Sequence, residues 1–276
     1  MRDSGNRLIC RAANTREGTV DKLIENAIGC AIDVMYRNMS EQVTLEDMAR
    51  AAMFSKFHFS RVFQKATGVS PGRFLAAMRL QEAKRLLLST SLSVTEVSQR
   101  VGYQSVGTFS ARFRSSVGMS PSAYRRMGGA PLDTCGTLSS GHRSTTRSAT
   151  VRGQVAAPSV PSGLGQIFVG LFPDRLPQGR PVRCTALRKP GSYELNDVPL
   201  GTWYVLSYSV ATDRAPVAPT PQESGHGFYI GNNGPITIRP ETHVRAADVR
   251  LRPMTRLDPP VLLALLDERA RESATT

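Results

Sequence analysis

The stretch 59–74 of this chain returns at 109–124 with a constant offset of fifty residues. Phe59, Ser60, Phe63, Gly68, Ser70 and Pro71 recur as Phe109, Ser110, Phe113, Gly118, Ser120 and Pro121, and Phe74 recurs as Tyr124. Just upstream the offset becomes 49, with Leu45 facing Val94 and Met48 facing Val97. Matches held in one register mark two copies of one small unit.

Each copy reads as helix, turn, helix. In the first, Thr44 is an N-cap with Asp47 three residues on, the pattern of a capping box. Leu45, Met48, Ala49 and Ala52 then fall on one helical face. A turn at Met53-Phe54 leads to Ser55, a second cap, and Phe59, Val62, Phe63 and Ala66 form the next inward stripe. Gly68 ends that helix as a left-handed C′ residue, and Ser70-Pro71 opens another with serine at N-cap and proline at N1. The second copy runs over Ser93–Val101, turns at Gly102-Tyr103 and continues as helix to Val117. Between the copies lies Pro71–Leu88, an amphipathic run carrying Phe74, Leu75, Met78, Leu86 and Leu87. As a helix it is about 27 Å long. That length suits a rod holding two recognition helices near the ~34 Å separation of successive major-groove turns.

Charge concentrates in the same stretch. The whole chain of 276 residues has net charge +13. From Met48 to Met127 there are thirteen Lys and Arg against only Glu82 and Glu96, whereas Val151–Thr276 has fourteen against eleven. A basic footprint confined to the repeated units points to a polyanionic partner, nucleic acid first.

The residues Gly102-Tyr103-Gln104-Ser105-Val106-Gly107-Thr108-Phe109-Ser110-Ala111-Arg112-Phe113-Arg114, with Gly118-Met119-Ser120-Pro121-Ser122-Ala123-Tyr124-Arg125 behind them, resemble the signature of AraC/XylS-type transcription regulators. So does Ser55-Lys56-Phe57-His58-Phe59-Ser60-Arg61-Val62-Phe63. The resemblance covers 20–127, with Asp21–Arg37 as the first helix, and it implies a double helix-turn-helix domain on double-stranded DNA. By that resemblance Lys56, Phe57, Ser60, Arg61 and Gln64 face the major groove, lying opposite the inward stripe. Arg61 is suited to a bidentate contact with guanine, and Lys56 and Lys65 to phosphates. Phe57 has a competing reading as a core aromatic. The second unit departs from the family pattern, because Ala111 stands where a long basic residue is usual and Val106-Gly107 occupy outward positions. Thr108 and Ser110 remain for bases, and Arg112 and Arg114 for the backbone, so this unit is expected to anchor more than it specifies. Met53 replaces a frequent turn glycine, a strained choice if that residue is left-handed.

Beyond the helical part, 128–150 is rich in Gly, Ser and Thr and reads as a linker, and 1–19 as an N-terminal tail. The stretch 151–258 changes to short apolar runs broken by Pro and Gly. Its expected strands are Gln166–Phe172, Val182–Leu187, Ser192–Leu195, Thr202–Val210, Phe228–Ile230, Ile236–Arg239 and Val244–Leu251. That count fits a β-sandwich. Gly191–Val205 resembles the hairpin of transthyretin-like or carboxypeptidase-regulatory-like modules, with Pro199 and Gly201 at the corner and Tyr193 and Leu195 facing a core. Such modules are usually scaffolds. Pro260–Arg271 reads as a short helix that docks on this domain or associates with a second copy, within a C-terminal segment 259–276. The expected architecture is therefore multidomain: an all-α double helix-turn-helix domain followed by an all-β sandwich.

Little supports catalysis. Gly68-Val69-Ser70-Pro71-Gly72 matches a hydrolase nucleophile elbow in letters only, since that motif needs a strand before it and Ser70 follows a helix. His58, His142, His226 and His243 are scattered, so no catalytic or metal site is expected. Cys10, Cys30, Cys135 and Cys184 form no CxxC pair, which fits a reducing cytoplasm and argues against the zinc-held cysteine of an alkylation-repair methyltransferase. The longest clean apolar run is Val261–Leu266, far short of the ~20 residues of a membrane span. The expected protein is a cytoplasmic, nucleoid-associated regulator without cofactor. RNA polymerase is its expected second partner and activation the sign that the resemblance implies. The β-domain is left to ligand sensing, homodimerisation or another protein contact, and a carbohydrate-binding β-module beside an incidental basic half is the alternative class.

Overall fold

Thr44 and five serines set the rhythm of the helical half, one before each helix after the first. The computed structural model describes residues 5–129, 148–159, 163–210 and 227–263, with side chains from 21 onward. Helix α1 spans Gly5–Arg37, α2 Leu45–Ala51, α3 Lys56–Thr67, α4 Pro71–Ser89, α5 Val94–Arg100, α6 Val106–Val117 and α7 Pro121–Arg126. The capping box at Thr44/Asp47 forms as expected, and Ser93/Glu96 repeats it on α5. Ser55, Ser105 and Ser120 accept backbone N–H bonds at the starts of α3, α6 and α7. Ser70 precedes α4 with extended backbone but makes no side-chain cap bond, so Pro71 at N1 carries that start. Gly68 and Gly118 close α3 and α6 with φ of +80° and +98°, the left-handed region that glycine enters without a Cβ penalty.

The helices surround a core in which Phe63 meets Phe59 at a tilt and Phe74 edge to face in the first unit. Phe109, Phe113 and Tyr124 do the same in the second. The fifty-residue repeat is thus a repeat of core geometry. Two inward assignments change. Thr67, not Ala66, is buried on α3, its hydroxyl bonded to the carbonyls of Phe63 and Val69, and Ala66 is exposed. Leu45 is also exposed, sitting at the first position of α2 with no preceding turn to cover it. The first helix begins at Gly5 rather than near residue 20, so 5–19 continue α1 instead of forming a tail.

The second half builds two sheets from β1 (Ala149–Ala156), β2 (Ile167–Phe172), β3 (Arg183–Leu187), β4 (Gly191–Val198), β5 (Gly201–Val210), β6 (Phe228–Ile238), β7 (Val244–Ala246), β8 (Val249–Arg250) and β9 (Arg252–Pro253). One sheet orders β4-β1-β7 with β8 also on β1; the other orders β3-β2-β5-β6-β9. Both contribute to one core, where Val151, Val155, Tyr193 and Leu195 meet Ile167, Val169, Leu171, Val205 and Ile236. Tyr193 and Leu195 face inward as expected, but β4 and β5 do not form a hairpin. They belong to different sheets, and Pro199–Gly201 turns the chain from one to the other. The two runs expected at 228–230 and 236–239 are one strand, β6, which absorbs Asn232-Asn233-Gly234-Pro235 through a register shift against Trp203/Val205. The run 244–251 is broken into two short parallel pairings with β1. Strand β1 itself starts inside the stretch read as linker; most of the remaining linker, 130–147, lies outside the described residues.

No C-terminal helix begins at Pro260. Residues 261–263 are non-helical, and the rest of that segment lies outside the described residues. Their side chains alternate: Val261 and Leu263 join Phe168, Phe172, Leu206 and Tyr208 on the β half, while Leu262 is wholly buried in the helical core. The two halves therefore share a packed boundary.

Candidate nucleic-acid interface

Helices α3 and α6 present their outward faces to solvent. Phe57 is 86% exposed, which excludes its core reading; Lys56, Arg61, Gln64 and Lys65 are exposed beside it. In α6 Val106, Gly107, Thr108, Arg112 and Arg114 are exposed. Ser60 and Ser110, the equivalent pair in the repeat, are half-buried one turn in from the N-termini. Both helices thus carry a polar or cationic outer face over a phenylalanine inner face.

Side-chain pairing distinguishes the cations. Lys56 Nζ sits 3.1 Å from Glu46 Oε2, an exposed pair worth ~0–1 kcal/mol and readily exchanged for a phosphate. Arg61 forms no ion pair among the described residues, so its guanidinium is not committed elsewhere. Sequence reasoning gave Met53 a backbone role only. The structure puts it at φ +56° in the turn before α3 and 89% exposed, four residues ahead of the exposed Phe57. Both are large exposed apolar side chains, of the kind that can meet thymine methyl groups. Its signal was present in the sequence: a large apolar residue in a turn has no helical face to join.

Arg79, on α4, organises the ground between the units. Its Nε donates to the Met39 carbonyl at 3.0 Å and its Nη2 to that of Glu41 at 2.6 Å. The same guanidinium lies against Gly102, where any Cβ would fall 2.4 Å from the Met39 carbonyl oxygen. A glycine is therefore required at the turn of the second unit both by its φ of +80° and by this close approach. Burial lowers the Arg79 pKa from its usual value and raises that of the neighbouring Tyr103 hydroxyl, with Arg112 and Arg79 opposing the latter. A cleft of about 490 Å³ opens here, lined by Thr44, Arg79, Tyr103, Gln104, Ser105 and Thr108. Ser70, of the apparent nucleophile elbow, starts α4 behind Gly68 and meets no strand. No cluster of metal-ligating side chains occurs among the described residues.

Residues 48–127 match the family model described as "Helix-turn-helix domain", so this stretch is a helix-turn-helix domain. It is similar to proteins named as regulators. Over 95 residues it is 34% identical to the uncharacterized HTH-type transcriptional regulator YobQ of Bacillus subtilis, a match covering 34% of this chain and 39% of that protein. Over 88 residues it is 33% identical to the HTH-type transcriptional activator AarP of Providencia stuartii, covering 32% of this chain and 65% of the relative. The chain thus spans less than two thirds of the length of these relatives. Among solved structures, the DNA-binding domain of AdpA in complex with a target DNA aligns over 38% of this chain and 90% of that one, at 33% identity and a TM-score of 0.34. No helix of the described residues is long and apolar enough to cross a membrane.

Proposed function

We propose that this chain is a sequence-specific DNA-binding transcription regulator of the AraC/XylS type. It reads two adjacent major-groove segments, one with α3 and one with α6. The observation that carries this is the duplicated helix-turn-helix unit, in which equivalent outward positions of α3 and α6 are exposed over equivalent phenylalanine cores. Lys56, Phe57, Ser60, Arg61 and Gln64 specify the first segment. In the second, Val106, Gly107, Thr108 and Ser110 meet the groove, and Arg112 and Arg114 join Lys65 on phosphates. The sign we assign is activation, through RNA polymerase at the promoter, in keeping with the printed name of AarP. The β-domain, transthyretin-like in our reading, serves the DNA-binding half as a sensing or dimerising module.

Selection of duplexes from a random library by the full chain tests this. The expected product holds two sequence segments about one helical turn apart. Enrichment of no sequence, or of a single segment only, overturns the reading. Binding of glycans in place of DNA would establish the alternative class.

A further inference from the structure

The β2–β3 connection, residues 173–182, reaches out of the β half and touches both helix-turn-helix units. Asp174 Oδ2 pairs with Arg73 Nη1 on α4, 101 positions away. The Arg175 side chain lies across Gly68, at the C-terminal end of α3. Leu176 is 3% exposed and belongs to the helical core, not the β core. Ser116 Oγ on α6 donates to Gln178 Oε1 at 3.2 Å, and the Gly179 amide donates to the Ser116 carbonyl at 2.6 Å. A single loop therefore binds the end of one recognition helix and the end of the other.

The placement has a mechanical consequence. Two small units joined by one rod can rotate about that rod unless something else connects them. Arg79 makes one such connection, tying the loop after α1 to α4 and packing on the turn of the second unit. The β2–β3 loop makes a second, at the C-terminal ends of α3 and α6. Two connections made at separate places fix a rotation that one leaves free. The loop also leaves Phe57, Arg61 and Thr108 exposed. It can stay in place while the N-terminal parts of both helices, the parts that meet bases in such motifs, enter the groove.

We infer that Asp174, Leu176 and Gln178 are positioning residues for DNA reading: they set the separation at which the two recognition helices engage their segments. This rests on the proposed DNA-binding function and goes beyond it, since it gives the β-domain a role in spacing specificity with no ligand. Preorganised geometry is what such a strut supplies, by removing an ordering cost from binding.

The test uses the full chain. Wild-type protein selects duplexes from a random library, and the spacing between the two enriched segments is read from the products. Leu176→Asp puts a charge where the helical core is closed and so expels the loop. Hydrogen exchange at the Gly179 amide reports that expulsion. Expected are both segments at several separations and an affinity for the wild-type spacing lowered about tenfold, with affinity for either segment alone unchanged. Asp174→Arg moves the same way, and Arg73→Asp combined with Asp174→Arg restores the single spacing. The milder Asp174→Ala/Gln178→Ala pair decides the matter if Leu176→Asp unfolds the helical half. One sharp spacing retained while the Gly179 amide exchanges freely overturns the inference. So does protection of that amide in every variant, because other contacts would then hold the loop. Failure of the wild-type protein to enrich any sequence overturns the DNA reading instead.

Discussion

The Lys84 ammonium on α4 donates a 3.0 Å hydrogen bond to the carbonyl of Leu263, 179 positions away, from a side chain that is 2% exposed. It also lies 5.8 Å from the centroid of the Tyr124 ring. A buried cation of this kind is tolerated only when its donors are used. Lys84→Ala removes the donor, leaves the Leu263 carbonyl without it and opens a void. A loss of about 2–3 kcal/mol in urea denaturation is expected, larger than for Lys84→Met, which keeps the aliphatic stem. Equal losses for the two variants would show that the hydrogen bond, and not the packing of the stem, matters there.

Met53 holds a left-handed φ of +56° without the freedom of glycine and buries almost nothing in return. Met53→Gly is expected to raise the stability of the helical half by about 1 kcal/mol, measured as a higher midpoint on thermal melting. Where the exposed Met53 side chain meets a thymine methyl, the same variant binds its selected site more weakly although it is more stable. Gain in one and loss in the other separates a functional strain from an accidental one.

Arg61→Ala is expected to cost about 1–3 kcal/mol on the selected site and to relax selection at one base position. Quantitative gel shifts on matched cognate and scrambled duplexes measure it. Equal losses on both duplexes would move Arg61 from base reading to the backbone.

Lys65→Ala is expected to weaken binding to every sequence alike and to reduce the salt slope of log K by about one unit. Lys65 also lines a cleft of about 130 Å³ shared with Arg175, Tyr208 and Arg252, so it borders the β-domain as well as the outer face of α3. An unchanged slope would assign Lys65 to that boundary alone.

Hydrogen bonds from Thr44 hold the Asp47 carboxyl below its usual 3.8, and bonds from Ser93 hold Glu96 below its usual 4.5. A carboxyl depressed on folding adds stability that is fully present above its unfolded pKa and disappears as pH falls through the lower folded value. Helicity of the full chain is therefore expected to drop as pH falls below about 4. Asp47→Asn with Glu96→Gln should flatten that acid limb, as followed by far-ultraviolet circular dichroism. An unaltered limb would place acid sensitivity in other groups.

The repeat, its caps and its glycine stops were legible because they are local: each is set by residues within one turn of helix. The Ala66/Thr67 exchange shows the limit of that reading, since a threonine can enter a core once its hydroxyl finds the carbonyls of Phe63 and Val69. Strand β1 went unread because Gly153 interrupts its apolar alternation, and a Cβ there would fall 2.3 Å from the Ala247 carbonyl oxygen. The pairing of β4 with β1 rather than β5 is a choice between sheets that no short-range pattern encodes. On the candidate interface, the outward residues came from the family resemblance and agree with the helical period, whereas the Arg79 bridge and the 173–182 loop join partners too far apart in sequence to show any period.

Leu262 fills a place among helices that are complete in sequence by residue 126. During synthesis the first half must therefore leave the ribosome with a gap in its interior and keep it until more than a hundred further residues have followed. Nascent chains arrested before that point would expose the unfilled seat, a natural handle for chaperones and for proteases that clear incomplete products.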